Sequence, residues 1–270
     1  MKSSPIFVGG AGRSGTTLLR VILDSHPNIA CGPELKMTRW VIHLWEDFLG
    51  YVNLMKPPLE TYQLSQEYVN SIFAGVFMSL IENYRKVSGK KRIADKEPDN
   101  VYFFQNLAHL FPESPLIHVI RDGRDVVCSL LQMNWVDPTT RKPLDYTQDV
   151  NKAAEYWMGA VRVGQETKKH PIAKENYIEV RYEDLVESPE ATLKHLFERI
   201  NEPWDHTVLH YYNKMRDLAC ESSAEQVSKP LYKNAVSRWE RDLKPQDKDI
   251  IKHVAGDLLL ELGYVKDHDW

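Results

Sequence analysis

Near its start the chain is apolar over residues 6–8, turns polar and glycine-rich over residues 9–15, and resumes with Leu18, Leu19, Ile22 and Leu23 spaced along one side of a helix over residues 16–24. That order predicts a buried strand, a glycine turn and an amphipathic helix, with His26-Pro27-Asn28 closing the helix. The succession recurs at residues 116–120, where an apolar run precedes Arg121-Asp122-Gly123-Arg124-Asp125 and a helix over residues 126–131. It recurs again at residues 177–180, which lead through Arg181-Tyr182-Glu183-Asp184-Leu185 and Ser188-Pro189-Glu190 into a helix over residues 191–200. Strand-turn-helix units of this kind predict an α/β fold: a central parallel β-sheet flanked by helices on both faces. Residues 66–85 and 151–168 have the apolar spacing of covering helices. Residues 213–245 are polar, and residues 221–233 within them predict a loop crossing the surface, where ligand contacts are often placed.

Composition narrows this picture without changing it. The 270 residues are 27% charged and 43% hydrophobic, ordinary globular proportions, and we expect one domain over residues 1–270. A net charge of −4 argues against a basic nucleic-acid surface, so no nucleic-acid partner is expected. Cys31, Cys128 and Cys220 lack the number and spacing of a disulfide scaffold or a zinc site. The apolar run at residues 5–8 is too short for a signal peptide or a membrane span, and the expectation is a cytoplasmic protein.

The strongest chemical signal is Gly10-Ala11-Gly12-Arg13-Ser14-Gly15-Thr16-Thr17, set between a strand and a helix. Glycines there let backbone amides converge on an anion, and the helix start adds the positive end of its dipole. The Gly10-to-Gly15 spacing is that of the nucleoside-triphosphate loop GxxxxGK[ST], so the sheet is expected to be of P-loop type, but Thr16 stands where lysine belongs. Without the lysine that grips terminal phosphates, a kinase or ATPase is disfavoured, and Arg13 is placed to meet a sulfonate instead. A glycine turn that serves packing alone is the alternative. Arg121 and Ser129, eight residues apart at the second strand-helix junction, can together hold a phosphate monoester. Taken by themselves they also fit a solvated charge cluster with Asp122, Arg124 and Asp125.

Together these residues resemble a known family. Arg13-Ser14-Gly15-Thr16-Thr17 is similar to the 5′-phosphosulfate loop, and the stretch from Arg121 to Ser129 to the 3′-phosphate motif, of sulfotransferases that use 3′-phosphoadenosine 5′-phosphosulfate (PAPS). Within that family the chain resembles the tyrosylprotein branch through Leu23-Asp24-Ser25-His26-Pro27, Cys31-Gly32-Pro33-Glu34, Asp95-Lys96, Arg181-Tyr182-Glu183, the run from Ser223 to Pro230, and Ser237-Arg238-Trp239. The resemblance implies a catalytic base at Glu34, with Arg13, Lys96 and Ser223 steadying the transferring group. It implies nucleotide contacts from Arg13, Ser14, Gly15, Thr16, Thr17, Arg121, Ser129, Tyr182, Gln226, Val227, Lys229 and Arg238, with the segment from Ser223 to Tyr232 covering the nucleotide. PAPS would be the co-substrate and its desulfated form, PAP, the product, with no metal. As bare residues, Glu34 also fits a helix cap or a surface carboxylate, and Tyr182 a core tyrosine. Three positions depart from the family pattern: Met133 replaces a phosphate-binding arginine, Arg238 a lysine, and Pro33 a glutamate.

The acceptor is expected to be a hydroxyl, first the tyrosine of an acidic peptide, because Lys36 matches one of the branch's basic acceptor-side positions and Arg39 lies one residue from another, now Trp40. The same cations also suit a small-molecule, carbohydrate or lipid hydroxyl. A nucleotide kinase of unusual loop sequence and a non-catalytic nucleotide-binding protein are the remaining alternatives, and assembly as a homodimer is left open.

Overall fold

The computed structural model describes residues 4–54, 61–137, 139–216, 218, 221–231 and 233–270. Five parallel strands form one sheet in the order β2-β3-β1-β4-β5, where β1 is Ile6–Gly9, β2 Ile29–Cys31, β3 Arg92–Lys96, β4 Leu116–Ile120 and β5 Tyr177–Arg181. The central strand pairs Ile6 with Ala94 on one side and Val8 with Ile117 on the other. Every strand therefore ends at the same edge, and the chain reverses direction through the sheet beside β1. In open parallel sheets, that carboxyl edge at the reversal point is where ligands bind.

Alternation along the strands separates two cores. Ile6, Val8, Ile117 and Val119 face one side, against α1 (Thr16–Ser25), α8 (Pro189–Arg199) and the 3-10 turn His206–Asn213. Phe7, Leu116 and Ile120 face the other, against α2 (Thr38–Leu54), α3 (Gln66–Val87), α4 (Asn100–Leu110), α5 (Gly123–Leu130) and α6 (Val150–Lys169). Helices thus cover both faces, as the strand-turn-helix units predict. α7 (Tyr182–Glu187), α9 (Ala224–Val227), α10 (Trp239–Asp242) and α11 (Pro245–Glu261) complete the helical elements of four residues or more among the described residues.

The structure corrects the sequence in three places. β2 and β3 were not anticipated as strands, because β2 is only three residues long and β3, Arg-Ile-Ala-Asp-Lys, alternates into charge. The charges of β3 are nevertheless buried and partnered: Arg92 donates to the Ser4 and Ile200 carbonyls at 2.7 and 2.5 Å, and Asn100 donates to Asp95 at 2.8 Å. The polar run after Arg181 is helical as α7, and its Tyr182 is buried. The expected surface loop over residues 221–233 contains α9, buries Val227, and leaves the Glu221 side chain 6% exposed. Of its residues, Tyr232 lies outside the described ones, as does Cys220. Cys31 and Cys128 are buried free thiols, which burial pushes up to about 12. Among the described residues, no helix is long and apolar enough to cross a membrane.

One close approach locks α6 onto the sheet. His118, fully buried on β4, meets the Tyr177 hydroxyl at 2.6 Å, and burial pulls the imidazole down to about 3. A Cβ at Gly164 would stand 2.2 Å from that ring. Gly164→Ala is therefore expected to destabilise the protein by about 1–3 kcal/mol, the usual range for overpacking a closed core. Urea unfolding checks this, and a loss below about 0.5 kcal/mol, the scale of a neutral surface change, would contradict it.

Candidate functional site

The loop from Gly10 to Gly15 turns at the carboxyl end of β1. Gly15 takes φ 97°, the left-handed region, directly before α1, and a Cβ there would lie 2.5 Å from the Tyr182 ring. No side chain caps the start of α1 and its first turn carries no acidic residue, so its positive end is not offset by a carboxylate of that turn. The Arg13 guanidinium reaches across to Ser129 Oγ at 3.0 Å, Ser222 Oγ at 2.8 Å and Ser223 Oγ at 2.9 Å. Arg121 returns the connection by donating to the Arg13 carbonyl at 3.0 Å, and it also donates to the Ala235 carbonyl. Its guanidinium carbon sits 4.5 Å from the Tyr182 ring centroid. Two motifs more than a hundred residues apart in sequence are thereby joined side chain to side chain.

Around this junction lies a cavity of about 980 Å³ at the carboxyl edge of the sheet. Its wall includes Arg13, Gly15, Thr16, Thr17, Glu34, Arg121, Ser129, Tyr182, Ser223, Gln226, Val227 and Arg238. Three expected site residues, Ser14, Lys96 and Lys229, stand apart from it. Ser14 is buried, and its hydroxyl finds no hydrogen-bond partner among the described residues. Lys229 lies outside the wall with its ammonium on Glu225 at 2.7 Å, and Arg238, although in the wall, pairs with Asp242 at 2.7 Å. Lys96 lies beneath, its side chain 0% exposed, with Nζ 2.5 Å from Glu34 Oε1 and 3.2 Å from Thr17 Oγ1. Glu34 itself is 23% exposed and reaches the cavity. Met133, in the position of the missing arginine, contributes nothing to the cavity wall.

The wall has two chemistries, one on each face of the sheet edge. Leu18, Val186, Tyr211, Val227 and Leu231 make an apolar slot on the α1 side. Trp135, Tyr146 and Tyr156 stand on the other side, and Lys36, Arg39, Trp40 and His43 add cations and aromatic surface. Tyr146 and Tyr156 stack at 4.3 Å, and the Tyr156 hydroxyl accepts from the Gly12 amide at 2.9 Å, fixing the phosphate-type loop to α6. Arg39 is partly neutralised by Asp99 at 3.4 Å.

Sequence reasoning missed Tyr156, Trp135, Ser222 and Glu221. The aromatic pair carried no motif, and Glu221 stood in a stretch that looked like open loop. Glu221 lies 2.9 Å from Arg20 Nε and 3.6 Å from Lys96, and accepts from Thr17 Oγ1 at 3.1 Å. The approach to this segment is tied down at Asp24, which gathers Lys214 at 2.7 Å, Arg216 at 3.0 Å and Lys90 at 3.4 Å. Burial alone would push the Asp24 carboxyl up, but Lys214 and Lys90 outweigh it and hold the group below its ordinary value.

Behind Glu34, Glu97 accepts from the Met37 amide at 2.8 Å at the start of α2. Burial, with Asp95 as a like-charged neighbour, pushes the Glu97 carboxyl up to about 7. Asp95 is itself raised, to about 6, by burial. Among the described residues no cluster of three or more His, Cys, Asp or Glu side chains is arranged to hold a metal ion.

Comparison with known proteins gives these residues a context. The model of the sulfotransferase family matches residues 5–206. A protein-tyrosine sulfotransferase of Caenorhabditis elegans is 29% identical over 273 residues, covering 97% of this chain and 68% of that protein. One from Drosophila melanogaster is 29% identical over 267 residues, covering 96% of this chain and 51% of that protein, so the chain spans about half to two thirds of these relatives. Among solved structures, the sulfotransferase domain of the Synechococcus PCC 7002 olefin synthase superposes with a TM-score of 0.62 at 21% identity, covering 94% of this chain and 95% of the other. A mouse sulfotransferase complexed with PAP superposes with a TM-score of 0.54 at 12% identity, covering 97% and 87%. These likenesses show that the fold is that of sulfotransferases.

Glu97 also sets a pH dependence. Its folded value lies above the ordinary 4.5, so the folded protein holds the proton more tightly than the unfolded chain. The corresponding stability is fully present below pH 4.5 and is lost as pH rises through about 7. Glu97→Gln, which cannot ionise, should gain on the parent protein by on the order of 1–3 kcal/mol between pH 5 and pH 8. Urea unfolding at the two pH values checks this, and an equal difference at both would contradict it.

Proposed function

This chain belongs to the sulfotransferase family, and from that premise we propose that it transfers a sulfuryl group from PAPS to a phenolic hydroxyl, first of all the tyrosine of an acidic peptide. The observation that carries the donor assignment is the Arg13–Ser129 hydrogen bond with the Arg121–Arg13 contact, which sets the loop before α1 beside the arginine and serine of the second junction. A nucleotide with phosphates at both the 5′ and 3′ positions needs two neighbouring anion sites. Unsatisfied donors support the fit: Ser14 Oγ and Arg121 Nε are buried with no hydrogen-bond partner among the described residues. The apolar slot of Leu18, Val186, Tyr211 and Val227 suits a purine ring.

The donor supplies the sulfuryl group; this chain's residues position it and manage charge and protons. Glu34 takes the proton of the acceptor hydroxyl as that oxygen bonds to sulfur, a role worth roughly 10²–10⁴-fold in rate. As the bond from sulfur to the 5′-phosphate oxygen breaks, electron density passes to that phosphate. Lys96, Arg13 and the start of α1 lie beside Glu34 and the loop and stabilise that charge without reorganising. The products are a sulfate ester, PAP and a proton on Glu34, and no metal is required by these steps.

For the acceptor, Trp40, Trp135, Tyr146 and Tyr156 offer aromatic walls to a phenol ring, while Lys36, Arg39 and His43 offer donors to neighbouring carboxylates. The protein-tyrosine sulfotransferase relatives support the same choice. Radiolabelled PAPS offered with acidic tyrosine peptides, small phenols, alcohols, glycans and lipids should label the peptides most efficiently, and label confined to glycans or lipids would contradict the acceptor assignment. Glu34→Gln should lower kcat by roughly 10²–10⁴-fold while PAP affinity by calorimetry stays within about threefold. Unchanged turnover in that variant would contradict the role of Glu34.

A further inference from the structure

Lys96 is completely buried, yet the residue assigned as its nearest counter-ion, Glu34, must lose its charge during the reaction. Glu34 Oε1 stands 2.5 Å from Lys96 Nζ, and once it takes the acceptor's proton the ammonium loses the charge of its nearest counter-ion. An ammonium with 0% exposure cannot recover that loss from water. The compensating charge comes from the other end of the chain. Glu221, 6% exposed, places Oε2 3.6 Å from Lys96 Nζ and takes a hydrogen bond from Thr17 Oγ1 at 3.1 Å. Its Oε1 lies 2.9 Å from Nε of the buried Arg20, an ion contact whose N–H is not aligned for a hydrogen bond. Two cations, Arg20 and Lys96, and two carboxylates, Glu221 and the partly exposed Glu34, thus form a neutral quartet.

We propose that Glu221 is a positioning residue for sulfuryl transfer: it holds Lys96 through Coulomb attraction while Glu34 is being neutralised, and so keeps the ammonium directed at the charge that develops on the transferring group. This rests on the donor and base assignments made above. Thr17 joins the two functions, since its hydroxyl contacts both Glu221 and Lys96 while its residue belongs to the phosphate-type loop. Because the need for Glu221 grows only as Glu34 becomes protonated, its removal acts on the transition state more than on the bound substrates. The effect falls on kcat.

The test combines kinetics with calorimetry on the full chain, using PAPS, an acidic tyrosine peptide and PAP. Glu221→Gln should lower kcat at least tenfold with the KM for PAPS and the Kd for PAP within threefold of the parent. Glu221→Asp, which keeps the charge, should recover part of the loss. Lys96→Gln combined with Glu221→Gln should be no more than threefold slower than Lys96→Gln alone, since Glu221 acts through Lys96. Turnover of Glu221→Gln within twofold of the parent would overturn the proposal. So would multiplicative losses in the double variant, or an equal fall in PAP affinity and thermal stability in both Glu221 variants, which marks a purely structural residue. A parent protein that neither binds PAP nor labels any acceptor would instead overturn the sulfuryl-transfer assignment, and this inference with it.

Discussion

Positive charge buried at the carboxyl edge of a parallel sheet is the constraint on which this structure turns. Arg20, Lys96, Arg121 and Arg124 are each at most 5% exposed. A buried cation is tolerated only where an acceptor meets it at close range, so the chain must deliver those acceptors to one place. Asp122 serves Arg124 at 2.7 Å, the Arg13 and Ala235 carbonyls serve Arg121, and Glu34 and Glu221 serve Lys96. The fold supplies the addresses: each of these acceptors sits on the turn or loop that follows a strand, or on the segment that crosses above them.

That constraint explains why the segment over residues 221–231 is structured although its composition is that of an exposed loop. Glu221 reaches the buried cations, Ser222 and Ser223 accept from Arg13, and Val227 enters the apolar core. The segment's attachment at Asp24 works by the same rule, with three cations converging on one carboxylate at the end of α1. Sheet edge, loop and crossing segment are therefore one electrostatic unit rather than a scaffold with an appended cover.

What was legible in the sequence follows from this. β1, β4 and β5 read clearly because their residues are apolar and bounded by polar turns, and the loop from Gly10 to Gly15 read clearly because only glycine takes the φ of 97° found at Gly15 without strain. β3 did not, because Arg92, Asp95 and Lys96 carry the signature of a surface while each is buried against a partner, Asn100 nearby for Asp95 but the Ile200 carbonyl and Glu34, distant in sequence, for Arg92 and Lys96. Glu34 was reached by resemblance and Glu221 was not reached at all. Nothing local distinguishes a carboxylate that will be buried from one that will face water; the difference lies in Arg20 and Lys96, about two hundred and one hundred and twenty-five residues earlier in the chain. Tyr156 and Trp135 escaped for a similar reason, since an aromatic residue on a covering helix or loop looks like core until the loop it supports is in place.

The central claim is that the two junctions, held together through Arg13, Ser129 and Arg121, grip the 5′ and 3′ ends of one nucleotide. Titration calorimetry of the full protein with PAP and with adenosine 5′-phosphate, which lacks only the 3′-phosphate, tests it most directly. A charge-assisted grip on that group predicts that PAP binds roughly 100-fold more tightly. Equal affinities for the two nucleotides, or no binding of PAP, would contradict it.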